Sequence, residues 1–168
     1  CKRKVIVLER LNEIKGRILD LANRGAYKDA ENLVVKYEEA VSADPDIYNL
    51  KSIIYANNEE HKKAFAVLQE GIDKYPQNFD IHYNLAYLHE MQGQLFHAFD
   101  RYVIASEVTT QNDHHKDIME ALERLKQTNK VWVDNAKDSR DVPSGFDATR
   151  NTTVVDVEIE KCRDNYAF

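Results

Sequence analysis

The sequence predicts an all-α protein built from repeated pairs of short helices. Apolar residues recur every three or four positions from about residue 5 to residue 126, a spacing that places them on one face of an α-helix. Turn-forming stretches divide this region into about seven helices, and because the connections are short, consecutive helices should pack antiparallel. The hairpins also recur at a constant interval. Together, these three observations predict an α-solenoid.

The predicted helices are separated by stretches rich in Gly, Pro, Asn and Asp, which favour turns. The first helix carries an apolar stripe of Leu8, Leu11, Ile14, Ile18 and Leu21. The breaks that follow are NRGAY (23–27), ADPD (43–46), ANNEE (56–60), YPQN (75–78), MQGQ (91–94) and TTQND (109–113).

The repeat interval is set by three alanines. Ala30, Ala64 and Ala98 follow one another at intervals of 34 residues. Small residues allow helix axes to approach closely where they cross, and larger apolar residues one turn away fill the remaining space. Four positions after each alanine comes such a larger residue: Val34, Leu68 and Tyr102. We therefore predict three hairpins, at about 11–44, 45–78 and 79–112.

Stacked hairpins need an end helix, because the last one cannot cover its own apolar stripe. The segment 113–127 has Ile118, Ala121, Leu122 and Leu125 on one face and charged residues elsewhere. It is predicted to cap a helical domain of residues 1–127.

A 34-residue helix-turn-helix period resembles the tetratricopeptide repeat. The first hairpin has the family's Gly-x-Tyr-x-x-Ala at Gly25, Tyr27 and Ala30, and the third has Gly93 at the turn between helices. The middle hairpin is divergent, with Glu59 at the turn and Gly71 as its late small residue. Further matches in the third hairpin are Leu85, Ala86, Ala98, Tyr102 and Ala105. The resemblance implies a right-handed solenoid whose first helices line a concave, partner-binding groove.

The C-terminal residues 128–168 do not follow the repeat. VWVD (131–134) and TTVVDVEIE (152–160) alternate β-branched and polar residues, and turn-forming residues lie between them. We expect a partly extended tail, or the start of a neighbouring domain.

Composition argues against several functions. The formal net charge is −6, and the only dense basic cluster is Lys2–Lys4, so we expect no nucleic-acid binding. No apolar run approaches the roughly 20 residues that span a bilayer, so we expect no membrane insertion.

Cys1 and Cys162 form no C-x-x-C motif, and a reducing, cytoplasmic location is expected. Because the chain begins at Cys1 rather than Met, we expect it to be an excised domain; the alternative is a lipid-modified N-terminal Cys1 left by signal cleavage.

Catalytic and metal sites are not predicted. There is no Gly-x-Ser-x-Gly elbow and no glycine-rich phosphate loop, so we expect no enzyme activity and no cofactor. His82 and His89 share a helical face, but they lack the spacing of zinc-binding helices and fixed further ligands. Packing between helices is the favoured interpretation of both.

The candidate binding residues are Asn49, Tyr83, Asn84 and Tyr87, on the first helices of the second and third hairpins. The resemblance places Asn84 where related domains often bind a ligand backbone. An Asn amide offers both a donor and an acceptor, and Tyr combines apolar area with a hydroxyl group. Tyr83 and Tyr87 replace the Lys and Asn of the clamp that binds chaperone C-termini in some relatives, so we predict no such binding.

Three hypotheses follow. The first is a non-catalytic scaffold that holds a peptide or partner protein in this groove. The second is an accessory domain of a larger bacterial enzyme such as a glycosyltransferase, used for dimerisation or acceptor docking; an α/β domain elsewhere in the reading frame would favour it. The third is self-association, through the exposed ends of the solenoid or an edge of the tail.

Overall fold

The structure, a computed structural model, describes the backbone of residues 2–41 and 43–138 and the side chains of residues 7–41 and 43–128. Seven α-helices and no strand occur within these residues, which confirms the all-α prediction. The helices are α1 (Lys2–Asn23), α2 (Tyr27–Ala40), α3 (Asp46–Asn57), α4 (His61–Lys74), α5 (Phe79–Met91), α6 (Leu95–Val108) and α7 (Asn112–Asp138). The chain divides into two compact units, Cys1–Leu88 and His89–Phe168.

Three equivalent turns join the paired helices. Gly25, Glu59 and Gly93 all have a left-handed backbone, with φ of 78°, 61° and 69°. At each turn the next residue's N–H bonds a carbonyl five positions back, as Ala26 N does with Leu21 O at 2.9 Å. This is the Schellman arrangement, which satisfies the last carbonyls of a helix and favours Gly at the left-handed position. Glu59 therefore occupies a glycine slot, as its place in the repeat predicts.

The first unit is built around the predicted small residues. Ala30 and Ala64 are both fully buried. Gly71 on α4 is the third small residue at a close contact between helices, because a Cβ added there would lie 2.9 Å from the Cβ of Tyr48 on α3. Around them lie two apolar clusters, whose main members are Ile18, Val34, Tyr37, Leu50 and Ile54 in one and Tyr48, Leu68, Ile81, Leu85 and Leu88 in the other.

The second unit contains the third predicted crossing. Ala98 and Tyr102 on α6 are fully buried. The Tyr102 hydroxyl donates to Glu90 at 2.8 Å, and Arg124 on α7 binds both oxygens of the same carboxylate at 2.6 and 2.9 Å. The predicted cap residues Ile118, Ala121, Leu122 and Leu125 are also buried.

One local prediction was wrong. Residues 131–134 were expected to be extended, but they belong to α7, which continues to Asp138. A four-residue alternation is too short to outweigh a helix that has already formed. Extending a helix needs no new nucleation, and each β-branched residue disfavours it by less than about 1 kcal/mol. The second predicted extended stretch, 152–160, lies outside the described residues, and the domain boundary at 127/128 stays a prediction.

Candidate functional site

The two predicted asparagines meet in the first unit. Asn84 Nδ2 on α5 donates to Asn49 Oδ1 on α3 at 2.9 Å. Asn49 is 8% exposed, whereas Asn84 is half-buried. This bond, here called the inner amide pair, links two successive first helices of the repeat. Asn49 therefore lies deeper than a freely accessible groove residue.

The two predicted tyrosines differ in their surroundings. Tyr83 is half-buried, and its ring lies 5.5 Å from that of Phe79, centroid to centroid, at an angle of 37°. Tyr87, one turn further along α5, is 47% exposed. Of the two, Tyr87 has the larger area available for a ligand.

One side of α3 faces the second helices of the hairpins. Lys51 Nζ binds Glu38 Oε2 on α2 at 2.5 Å. The Lys63 ammonium on α4 lies 5.4 Å from the centre of the Tyr55 ring. These contacts assign the side of α3 that carries Lys51 and Tyr55 to the α2 and α4 neighbours.

The other side of α3 faces the first helices. Asp46 contacts Lys15 on α1 at 2.5 Å, Asn49 contacts Asn84 on α5, and Asn57 Nδ2 donates to Asn23 Oδ1 on α1 at 3.3 Å. We call this side the α1–α3–α5 face. Its residues on α3 recur at helical spacing: Asp46, Asn49, Ile53 and Asn57.

Part of this face was not predicted from the sequence. The bond between Asn23 and Asn57 forms a second, exposed link, here called the outer amide pair. By helical spacing, Ile53 lies between Asn49 and Asn57 on α3; Ile53 and the residues 34 positions before and after it, Leu19 and Tyr87, are here called the apolar row. Leu19 and Ile53 are half-buried. The 34-residue period contained this signal, since it relates Leu19 to Ile53 and Asn23 to Asn57.

An ionic cluster closes one end of the face. Lys15 Nζ lies 2.7 Å from Asp44 and 2.5 Å from Asp46, and the Tyr37 hydroxyl donates to Asp44 at 2.5 Å. Burial alone would lower the pKa of Lys15, but its hydrogen bonds to the two carboxylates outweigh burial and raise it. Burial and the bond to Asp44 raise the pKa of Tyr37 to about 12. Lys15, Asp44 and Asp46 thus each have a partner of opposite charge within the cluster.

The histidines occupy packing positions. His82 is 4% exposed, and its Nε2 lies 2.9 Å from the Pro76 carbonyl, so this nitrogen carries the proton. In the second unit the His89 ring stacks on His97 at 5.3 Å between centroids. Burial, together with the nearby charges of His97 and Arg101, lowers the pKa of His89. Among the described side chains, no three His, Cys, Asp or Glu come together as metal ligands.

Comparison with known proteins supports the repeat assignment. Residues 67–98, from the middle of α4 to the start of α6, match the tetratricopeptide repeat family. No curated protein shows significant similarity to the chain. Within the described part of the chain, no helix has the length and apolar character needed to cross a membrane.

Proposed function

We propose that this chain holds a segment of a partner protein on its α1–α3–α5 face. Residues 67–98 match the tetratricopeptide repeat, a helical module that generally serves as a non-catalytic interaction scaffold. The observation that carries the proposal is the paired amides on either side of the apolar row. The proposed site consists of the inner amide pair Asn49 and Asn84, the outer amide pair Asn23 and Asn57, and the apolar row Leu19, Ile53 and Tyr87.

The chemistry of this face suits protein recognition. Tyr87 offers exposed aromatic area, which contributes strongly to interfaces at low entropic cost. Asn amides can pair with either a peptide N–H or a peptide C=O. Binding would therefore depend on aromatic and amide contacts rather than on net charge.

Affinity capture with matched variants tests the proposal. The immobilised chain is exposed to lysate of its source organism, in parallel with Tyr87→Ser and Val35→Ser. Tyr87 and Val35 are equally exposed, at 47% and 46%, but Val35 lies on α2. We expect a protein that is retained by the wild type and Val35→Ser and lost from Tyr87→Ser.

Tyr83→Ala with Asn84→Ala should also weaken binding. Because Asn84→Ala removes the partner of the nearly buried Asn49, that variant needs a parallel measurement of stability, with exposed Asn32→Ala on α2 as its control. Equal retention by Tyr87→Ser and Val35→Ser would contradict the proposed site.

A further inference from the structure

Two large apolar side chains flank the turn between α5 and α6, in the second unit. Met91, the last residue of α5, is 57% exposed, and Phe96, the second residue of α6, is 56% exposed. Nearby, the rings of His89 and His97 stack at 5.3 Å between centroids, so the end of α5 and the start of α6 lie together. We call Met91 and Phe96 the turn patch.

The turn itself does not require apolar residues at these two positions. One repeat earlier they are Asn57 and Lys62, and two repeats earlier they are Asn23 and Lys28. All four of these polar residues are exposed, as expected for positions that face water. Large apolar side chains that share an exposed site commonly mark a contact surface. The third turn therefore differs from the other two in having a surface that favours being covered.

The C-terminal part of the chain starts close enough to cover it. Arg124 on α7 binds Glu90, the residue before Met91, so α7 passes the turn at this point. The helix ends 14 residues later, about 21 Å further along at 1.5 Å per residue. Residues 139–154 can then span up to about 53 Å at 3.3 Å per residue. Residues 155–159 can thus return to the turn patch, which belongs to the same unit.

The sequence of this returning segment suits an exposed apolar patch. Apolar β-branched residues alternate with acidic ones in the order Val155, Asp156, Val157, Glu158, Ile159 and Glu160. In an extended chain, alternate side chains point to opposite sides. One side of the segment can therefore pack on apolar surface while its acidic side stays in water.

A segment of the same chain also has an advantage over a second copy of the protein. When a linker can span two sites, tethering gives an effective concentration of the order of millimolar. A second copy would in addition lose translational and rotational freedom on binding. We infer that residues 152–160 pack on the turn patch, with Val155, Val157 and Ile159 against Met91 and Phe96.

Disulfide trapping tests this contact in the full chain. Native Cys162 follows Ile159 by three residues, so a cysteine beside the turn patch should be within its reach. The trapping variant combines Cys1→Ser, which leaves one native thiol, with Gln92→Cys, which keeps both residues of the turn patch. The control variant carries Glu107→Cys in place of Gln92→Cys. Glu107 is also exposed but lies about 17 Å from the turn patch along α6.

Both variants are oxidised at low protein concentration, and the internal disulfide is followed by peptide mass spectrometry. We expect the bond to form about tenfold faster with Gln92→Cys than with Glu107→Cys, because contact raises the effective concentration of Cys162 near the turn patch. Adding either Phe96→Ser or Val157→Asp to the trapping variant should slow the bond to the control rate. Circular dichroism checks that each variant keeps its helices.

Three results would overturn the inference. The first is an equal rate of internal disulfide formation in the trapping and control variants. The second is a fast bond whose rate changes with neither Phe96→Ser nor Val157→Asp. The third is a disulfide between two chains at the Gln92→Cys position in place of the internal bond, which would identify a second copy as the occupant of the turn patch.

Discussion

Replacing Gly71 with alanine tests whether close packing, rather than helix propensity, selects glycine at this position of α4. Alanine favours a helix interior over glycine by about 0.5–1 kcal/mol. At Gly71, however, the new Cβ would lie 2.9 Å from both Cβ and Cγ of Tyr48 and 3.1 Å from Cδ1 of Ile81. These neighbours belong to the buried core and cannot move without disturbing it.

The expected magnitude follows from two opposing effects. Overpacking a well-filled core costs about 1–3 kcal/mol, which offsets the propensity gain or exceeds it by up to about 2.5 kcal/mol. Gly16 provides a matched control, because it also lies inside a helix but an added Cβ there has no atom within 4 Å. Gly16→Ala should therefore stabilise the protein by about 0.5–1 kcal/mol.

Urea unfolding at 25 °C, followed by circular dichroism, measures both variants. The two should differ by about 1–3 kcal/mol in the free energy of unfolding, since the propensity effect is common to them. If Gly71→Ala stabilises the protein as much as Gly16→Ala does, the steric explanation is wrong.

Three further predictions concern stability. Glu59→Gly should raise the free energy of unfolding by about 0.5–1 kcal/mol by relieving the left-handed backbone, whereas Glu59→Ala should bring no such gain in the same urea assay. Burial and neighbouring His114 lower the pKa of His115. As pH falls below about 6.5, the unfolded chain therefore takes up a proton at this residue more readily than the folded chain, and the folded state should lose stability. His115→Gln should flatten this dependence of the free energy of unfolding on pH between about pH 7.5 and 5.5. Burial alone would raise the pKa of Asp44, but the hydrogen bonds from Lys15 and Tyr37 outweigh burial and lower that pKa. Asp44→Asn should lower the free energy of unfolding by about 1–3 kcal/mol at pH 7. The difference from wild type should shrink as acid protonates Asp44. A cost that is the same at every pH would contradict the charge explanation.

The repeat could be predicted from sequence because its period is imposed by packing. A helix crossing needs a small residue, so Ala30, Ala64 and Ala98 mark the crossings whatever surrounds them. The left-handed turn at Glu59 was equally predictable, since glycines hold the equivalent places in the neighbouring repeats.

The α1–α3–α5 face was harder to predict, because it depends on which side chains of different helices meet. Spacing within α3 could not show that Asn49 is nearly buried and accepts a hydrogen bond from Asn84, or that Asn57 donates to Asn23. The helical state of residues 131–134 was missed because a short local alternation was weighed without the helix preceding it.

Side-chain amide signals in ¹⁵N NMR spectra test most directly whether the α1–α3–α5 face receives the partner. The captured partner is titrated into the labelled chain while the signals of Asn23, Asn49, Asn57 and Asn84 are compared with that of Asn32 on α2. We predict that the four signals of the amide pairs shift as the partner binds and that Asn32 does not. A shift of Asn32, with the four signals unchanged, would contradict the account.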